Sequence, residues 1–246
     1  MGLKAAPEDQ ALLLELQDLD TRVQRLDNQL RNLPETARLA ELDAEAHTLR
    51  RTVAEQTGAL EDAQAELGRV ESDVAVVEAR MTRDRERLQA TSSVKDVQAL
   101  EQELEALARR RDELEEIELV VMERVEQQEN DLAATRAALD ELDGRIAETT
   151  AARDASASSL QRERADVVTD RATIAARVPA DLLALYEKQR ERYGVGASHL
   201  RGGVSSASGV ALNATDLGAV RAAAPDDVLL CPDSSAILVR TAESGL

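Results

Sequence analysis

The stretch "QATSSVKDV", residues 89–97, decides the fold, because no apolar stripe crosses it and long apolar stripes lie on both sides. Thr91, Ser92 and Ser93 are residue types that cap helix ends. A short capping segment between two long amphipathic helices is typical of a helical hairpin. We therefore predict an antiparallel coiled-coil hairpin over residues 8–178, with its tip near residues 89–96.

The arm before the tip carries apolar residues at alternating spacings of four and three, which places them on one face of a helix. Pro34 interrupts this arm, because proline lacks a backbone N–H and disfavours helix in the residue before it. The pattern then restarts at Leu39 and continues to Leu88, so we predict a kink near residue 34. The first apolar set is Leu12, Leu16, Leu19, Val23, Leu26, Leu30 and Leu33.

The arm after the tip has a second apolar stripe in one heptad register, from Val97 to Ile174. Neither arm can bury its stripe alone, whereas two antiparallel arms can cover each other. The alternative is one continuous helix that pairs with another molecule. The capped tip and the nearly equal arms favour the hairpin.

The composition supports this fold class. The chain has 246 residues, of which 1% are aromatic and 32% are charged, as is typical of long helices and coiled coils. Its net charge of −18 disfavours nonspecific binding of nucleic acid by the whole chain. The single cysteine cannot form an internal disulfide. Without an apolar N-terminal segment or a run of 18 apolar residues, we expect no membrane association and a cytoplasmic location.

The C-terminal part changes character after Pro179. "ADLLALYEKQRERY" predicts a short connecting helix over residues 179–194, and "GVGASHLRGG" resembles a glycine-rich linker. Within "NATDLGAVRAA", Asn213 or Thr215 can cap a short helix. "DVLLC" and "AILVRT" flank the turn "PDSS", which is the pattern of a β-hairpin. The expected fold class is therefore mainly α, with a long helical hairpin followed by a small β-rich head over residues 195–246.

These segments together resemble the bacterial C4-type zinc-ribbon proteins with an N-terminal coiled-coil hairpin. The resemblance covers the whole architecture and is most specific over residues 179–246, in "LYEKQRERYGVG" and "LNATDLGAVRAAAPDDVLLC". In that family, each of two knuckles carries CxxC, and four thiolates hold one zinc ion. The corresponding positions here are Ser205 and Ser208 in "SSAS" and Cys231 and Ser234 in "CPDS". The resemblance thus implies a degenerate, cysteine-depleted ribbon.

We expect no bound zinc and no other cofactor. A serine hydroxyl is not ionised near neutral pH and lacks the soft sulfur that structural zinc sites use. Cys231 is then a small, partly buried apolar residue at a strand end, and the serines are ordinary turn residues. Without metal, the head would depend on docking to the connecting helix and on a small aliphatic core of Leu212, Leu217, Val220, Leu229, Leu230, Ile237, Leu238 and Val239.

No catalytic pattern is visible, because His47 and His199 stand alone and no phosphate-binding loop is present. We therefore expect a protein that is not an enzyme. The resemblance implies contact with RNA or DNA, or a chaperone-like role towards transcription or secretion components. Basic and aromatic side chains that could bind phosphates and stack on bases occur together just before and within the head. These are Tyr186, Lys188, Arg190, Arg192, Tyr193 and Arg201.

Two hypotheses follow. In the first, the chain is a non-enzymatic scaffold or adaptor whose head meets a protein partner that the sequence does not identify. In the second, the connecting helix and head bind nucleic acid, although the head itself has three arginines against five carboxylates. The tyrosines of the connecting helix could equally pack against the head. A third possibility is self-association of the helices, so the expected state is a monomer or a weak oligomer.

Overall fold

The computed structural model describes residues 2–246 and confirms the predicted fold class, with long helices forming a hairpin followed by a small mixed sheet. Two compact units divide the chain, one formed by residues 1–36 with 152–246 and the other by residues 37–151. The helices are α1 (Pro7–Arg31), α2 (Pro34–Ala90), α3 (Val94–Ala175), α4 (Ala180–Tyr193) and α5 (Ala214–Ala222). The strands are β1 (Ala197–Arg201), β2 (Val204–Ser205), β3 (Leu229–Leu230) and β4 (Ile237–Val239), and a 3-10 turn covers Ala242–Ser244.

Prolines and capping residues set the helix boundaries. Pro7 and Pro34 each open a helix, where the missing N–H would have had no intrahelical partner anyway. Thr91–Ser93 separate α2 from α3, and the Ser93 hydroxyl accepts the backbone N–H of Asp96 at 3.4 Å, as an N-cap does. None of the helices over residues 2–246 carries an apolar stretch long enough to cross a bilayer.

In the unit of residues 37–151, α2 and α3 run antiparallel and bury their apolar stripes against each other. Leu42, Ala46 and Leu142 form a buried cluster in this seam. Arg50 pairs with Asp143 at 2.7 Å, although both side chains are about half exposed. Pairs of this kind contribute roughly 0–1 kcal/mol each, so burial of the seam is the larger stabilising term.

In the other unit, α1 packs against the C-terminal part of α3 and against α4. Leu13 and Leu16 on α1 are fully buried together with Leu182 and Tyr186 on α4. This cluster also takes in Ile237 from the central region of the sheet. The helices and the sheet of this unit therefore share one apolar core.

The sheet has the strand order β2-β1-β4-β3, in which β1 and β4 are parallel and the two outer pairs are antiparallel. The strand β1 lies inside the stretch that was expected to be a glycine-rich linker, and this expectation was wrong. Ala197 and Leu200 are buried in β1, which has hydrogen-bonded neighbours on both sides. The linker interpretation failed because the partner strand β4 lies about 40 residues away and leaves no local signal.

The predicted aliphatic core of the head needs a second correction. Successive side chains of a strand point to opposite faces. Accordingly Ile237 and Val239 join the helical core, while Leu238 packs in a separate cluster with Leu200, Leu212, Val220 and Cys231. Leu230 was expected in the core but is 46% exposed. The head thus has two small cores, one on each face of β4.

The N-terminal residues also belong to the head. The N–H of Ala5 donates to the carbonyl of Asp226 at 2.8 Å, and the N–H of Val228 donates to the carbonyl of Leu3 at 3.1 Å. The Lys4 ammonium lies 3.0 Å from the Asp226 carboxylate, which holds the pKa of that carboxyl below its ordinary value. This pairing joins the segment before α1 to the loop before β3.

Candidate functional site

The first knuckle is a closed turn over residues 205–210. The N–H of Ser205 donates to the carbonyl of Val210 at 3.1 Å, and the N–H of Gly209 donates to the carbonyl of Ser205 at 2.9 Å. The Ser208 hydroxyl accepts the N–H of Val210 at 3.2 Å. Gly209 has φ of 69°, a left-handed conformation that glycine adopts without strain.

The second knuckle repeats this turn over residues 231–236. The N–H of Cys231 donates to the carbonyl of Ala236 at 2.8 Å, and the N–H of Ser235 donates to the carbonyl of Cys231 at 2.9 Å. The Ser234 hydroxyl accepts the N–H of Ala236 at 3.4 Å. Ser235, with φ of 59°, takes the place of the glycine and is the one non-glycine residue with positive φ among residues 2–246. The two knuckles therefore match bond for bond.

The knuckles meet in the interior of the head. Ser205 and Cys231 are both buried, and the Ser205 hydroxyl lies 2.7 Å from that of Ser198 on β1. Burial by itself raises the pKa of the Cys231 thiol, but hydrogen bonds from the side chains of Ser205 and Ser234 and from nearby backbone N–H groups outweigh it, so the pKa is lowered. The two knuckles thus lie at one apolar cluster, because Leu200 pairs with Ser205 and packs with Cys231.

The residues at these positions do not fit a structural zinc ion. Such sites use four ligands, mostly thiolates and imidazoles, and here one thiol faces hydroxyls that stay protonated near neutral pH. Within residues 2–246, no group of three His, Cys, Asp or Glu residues is placed to hold a metal ion. The fit fails on the chemistry of the donors, while the knuckle backbone is intact.

The structure separates the six basic and aromatic residues into inward and outward groups. Tyr186 is fully buried, and its hydroxyl donates to Asp20 Oδ2 at 2.6 Å. Burial, followed by this hydrogen bond, raises the pKa of the Tyr186 phenol well above its ordinary value. Arg190 pairs with Glu187 at 2.8 Å and lies 3.6 Å from Asp20. The expected role of Tyr186 in base stacking is therefore corrected, because its ring lies in the core.

Asp20 is the centre of a buried polar network that sequence analysis missed. Its carboxylate accepts a hydrogen bond from Arg171 Nε at 2.6 Å, and the Asp20 side chain is only 5% exposed. Arg171 also pairs with Glu187 at 2.6 Å, and the hydrogen bond to Asp20 is the main cause of its raised pKa. Because these groups come from α1, α3 and α4, the network fixes the three helices relative to one another.

The remaining members of the predicted set face outward. Lys188, Arg192 and Tyr193 are exposed on α4, and the Arg192 guanidinium lies 5.2 Å from the centre of the Tyr193 ring. Arg201 at the end of β1 pairs with Glu243 at 2.9 Å. The surface available to a phosphate or a base is thus smaller than the sequence predicted. Three of the six predicted residues, Lys188, Arg192 and Tyr193, are exposed on α4.

A groove of about 540 Å³ lies between α1 and the head, lined by Gln17, Asp18, His199 and Thr241 among others. His199 Nε2 lies 2.6 Å from the Thr241 hydroxyl, and Arg201 Nε donates to His199 Nδ1 at 2.6 Å. Since Nδ1 accepts, Nε2 carries the proton and donates to Thr241. The hydroxyl is then an acceptor, so this pair does not activate Thr241 as a nucleophile.

Arg240 is a second residue whose importance the sequence did not indicate. Its guanidinium donates to five backbone carbonyls at 2.7–3.4 Å, and these belong to the end of α5 and the loop that follows. The last carbonyls of a helix lack intrahelical partners and carry partial negative charge. Arg240 therefore closes the C-terminal end of α5 against β4. The carbonyls belong to Val220, Ala223, Ala224, Pro225 and Asp227.

A family model described as the CT398-like coiled coil hairpin domain matches residues 16–194. The chain belongs to this family. The matched range covers α1 to α4 and ends before β1, so it includes the helical hairpin and not the sheet of the head. The match supports the coiled-coil hairpin part of the resemblance given above, and the zinc-ribbon part lies outside it.

Relatives of the CT398-like family extend the likeness over the whole chain. An uncharacterized protein of Mycobacterium tuberculosis is 32% identical over 239 residues, which cover 97% of this chain and 98% of the relative. A solved structure from Mycobacterium smegmatis is 35% identical with a TM-score of 0.86, covering 97% of this chain and 100% of that one. The structure of CT398 from Chlamydia trachomatis is 19% identical with a TM-score of 0.63, covering 94% and 97%. At that identity, the last comparison shows a shared fold.

Proposed function

We propose that this protein is a non-enzymatic scaffold or adaptor whose head is held on the CT398-like hairpin for contact with a protein partner. The observation that carries the proposal is the way in which the head is immobilised. Ile237 and Val239 are buried among Leu13, Leu16 and Leu182 of the helices, and the Asp20 network fixes those helices. A rigid element that displays a small surface is the arrangement that an adaptor needs, since little ordering entropy is lost on binding.

The exposed apolar residues of the head indicate where a partner would bind. Val204 on β2 and Leu230 on β3 belong to the two edge strands of the sheet, and Val210 lies at the end of the first knuckle. Exposed apolar side chains at the margins of a sheet offer contact area to another chain. We place the partner surface at these edges.

Crosslinking in cells with the full-length chain tests this surface. We expect a protein partner to be recovered with the unmodified chain and lost with Val210→Asp and Leu230→Asp. The control is Val76→Asp, which changes an exposed apolar residue on α2, away from the head. Recovery of the same proteins by the head variants would reject this surface, and recovery of none by the unmodified chain would reject the adaptor function.

A second candidate function is binding of RNA or DNA through Lys188, Arg192 and Tyr193. Their common exposure on α4 supports it, because a positively charged groove with an aromatic side chain suits single-stranded nucleic acid. The acidic charge of the chain opposes it. Fluorescence anisotropy with a labelled single-stranded oligonucleotide at low salt tests it.

In that titration, we expect binding to weaken with salt and to fall when Lys188 and Arg192 become alanine. Arg221→Ala, which removes an exposed charge on α5, is the control for a general loss of positive charge. Equal loss in both variants, or no complex at low salt, would reject nucleic-acid binding at this site.

A further inference from the structure

We propose that hydrogen bonds replace a metal ion in the head, so that the two knuckles keep their shape without zinc and would form a zinc site if three serines were cysteines. The first support is the repetition of the turn. Each knuckle closes with two backbone hydrogen bonds and one bond to a serine hydroxyl, at positions 26 residues apart. Each knuckle is therefore closed by hydrogen bonds between its own residues.

The second support is the convergence of the side chains. Ser205 and Cys231 are both fully buried, and Cys231 packs in one cluster with Leu200, which pairs with Ser205 across β1 and β2. Ser208 lies three residues after Ser205 in the same turn. The two knuckles therefore lie at one apolar cluster in the interior of the head. Sulfur is a soft ligand for zinc and oxygen of a neutral hydroxyl is not, so the missing property is the donor atom and not the geometry.

The third support is the number of other contacts that close the head. In metal-dependent ribbons, much of the folding free energy comes from metal binding. Here Ser198 and Ser205 bond to each other in the interior, Arg240 holds five carbonyls, and Leu3 and Ala5 pair with the loop before β3. These contacts take over the role of closing the fold.

Metal analysis and thermal unfolding of the full-length chain test the proposal directly. We expect less than about one-tenth of an equivalent of zinc per chain and the same melting temperature with and without EDTA, because no metal contributes to the folded state. One equivalent of zinc, or a fall in melting temperature with chelator, would overturn the proposal.

The variant that carries Ser205→Cys, Ser208→Cys and Ser234→Cys tests the convergence. Kept reduced, it should bind about one equivalent of Co²⁺ with a thiolate-to-cobalt absorption band, and zinc should raise its melting temperature. The unmodified chain should show neither effect. A folded triple variant without the band would overturn the proposed convergence. If the triple variant does not fold, the double variant Ser208→Cys and Ser234→Cys, which changes two half-buried positions, is titrated with Co²⁺ in the same way. A folded double variant without the thiolate-to-cobalt band would likewise overturn the proposed convergence.

A separate observation concerns α3 in the unit of residues 37–151, where residues 117 and 119–122 are apolar and lie on several sides of the helix. Val121 is buried in the seam, but Ile117 is 44% and Val120 is 66% exposed. These two lie three residues apart and share a shallow groove with Glu113 and Arg124. Spacings of three and four place all four side chains on one outer face of the helix.

We infer that this face binds a second copy of the chain in antiparallel orientation. A two-fold axis between positions 118 and 119 sets Ile117 against Val120 of the second copy and Glu113 against its Arg124, each contact occurring twice. The face is thus complementary to itself in charge, with an apolar pair at its centre. The flank that carries Leu119 and Met122 is surrounded by Glu123, Glu126 and Glu129, so two such flanks repel each other.

Sedimentation over a concentration series tests this dimer. Glu113→Arg and Arg124→Glu alone should each weaken association about fivefold, because like charges then face each other across the axis. The double variant exchanges the charges and should restore association to within about twofold of the original. Leu119→Glu, on the acidic flank, is the control and should leave association unchanged.

Self-association of the chain is measured independently of partner recovery in the crosslinking test. A chain that stays monomeric up to its solubility limit would overturn the dimer, as would a double variant that remains as weak as the single ones. Within the chain, Arg124 also pairs with Glu66 and Glu113 also pairs with Arg110, and all four side chains are largely exposed. The melting temperature of each variant therefore has to match that of the original chain for the comparison to count.

Discussion

At the scale of single residues, Gly196 shows how closely the head approaches the helices. A Cβ atom at this position would lie 2.5–2.8 Å from three atoms of the Tyr186 ring, nearer than real contacts allow. The Gly196 N–H also donates to Gln17 at 2.8 Å, so the backbone cannot easily move away. The glycine that resembled part of a linker is therefore a packing residue.

We expect Gly196→Ala to lower the free energy of unfolding by about 1–3 kcal/mol, which is the usual range for an overpacked core. Urea denaturation measures the change. Gly218→Ala is the matched control, because Gly218 lies in α5 with open space around it and alanine favours helix. A neutral effect of Gly196→Ala would mean that the Tyr186 ring can shift.

Tyr186 gives a prediction for the pH dependence of stability. The pKa of its phenol is raised above the ordinary value of 10.0, mainly by burial and also by the bond to Asp20. The unfolded chain loses this proton near pH 10 while the folded chain keeps it. The contribution to stability is therefore fully present below pH 10 and is lost as the pH rises above that value.

The Tyr193→Phe variant isolates this group, because the chain has two tyrosines. During an alkaline titration, we expect its tyrosinate absorbance to appear only together with the loss of helical circular dichroism. Tyrosinate formation near pH 10 in a chain that is still helical would show that Tyr186 is accessible to solvent.

Some of these residues could be predicted from the sequence and others could not. Leu13 and Leu16 lie at or beside the heptad positions of α1, and local periodicity is enough to place such residues inside. Asp20 and Tyr186 are 166 residues apart, so nothing local distinguishes Asp20 from the exposed carboxylates around it. The sequence predicted Tyr186 as a possible surface contact, whereas this long-range contact holds it in the core.

At the scale of secondary-structure elements, Arg240 is the contact that connects α5 to β4. We expect Arg240→Ala to lower the free energy of unfolding by about 1.5–3 kcal/mol, because several carbonyls lose a charged donor. Arg240→Lys should recover part of this, since it keeps the charge but lacks the planar fork of donors. Hydrogen exchange of the α5 amides and urea denaturation measure both effects.

Arg221→Ala is the control for Arg240→Ala, because Arg221 is an exposed cation in the last turn of α5, the helix whose end Arg240 contacts. If both alanine variants lose the same small amount of stability, the effect of Arg240 is that of a general charge at a helix end. A much larger loss at Arg240 would support the specific contact with the carbonyls.

Elements with a local period were predicted well, and elements that depend on distant partners were not. The helices follow from spacings of three and four, and Asn213 caps α5 as its residue type suggested, accepting the N–H groups of Thr215 and Asp216. The strand β1 was missed because its short stretch "ASHLR" has no clear alternation and its partner β4 is far along the chain. The knuckle positions "SSAS" and "CPDS" came from the resemblance to the zinc-ribbon family, but their matching hydrogen bonds appear only in the structure.

At the scale of the whole molecule, the acidic excess is the dominant electrostatic feature. A net charge of −18 destabilises the folded chain through self-repulsion, and added salt screens it over about 10 Å at 0.1 M. Salt also weakens ion pairs, but the exposed ones contribute roughly 0–1 kcal/mol each. We therefore expect the melting temperature near pH 7 to rise with sodium chloride. A fall would show that the ion pairs contribute more than the repulsion.

The pairing of Leu3 and Ala5 with residues 226 and 228 has a consequence for synthesis on the ribosome. Lys4 and its partner Asp226 are separated by 222 residues, so the segment before α1 is made long before its partner. At the usual 5–20 residues per second, the delay is roughly 10–40 seconds. Over that time the start of α1 exposes Leu13 and Leu16 without their final neighbours. Chaperone binding to the nascent chain is therefore expected to last until the head emerges.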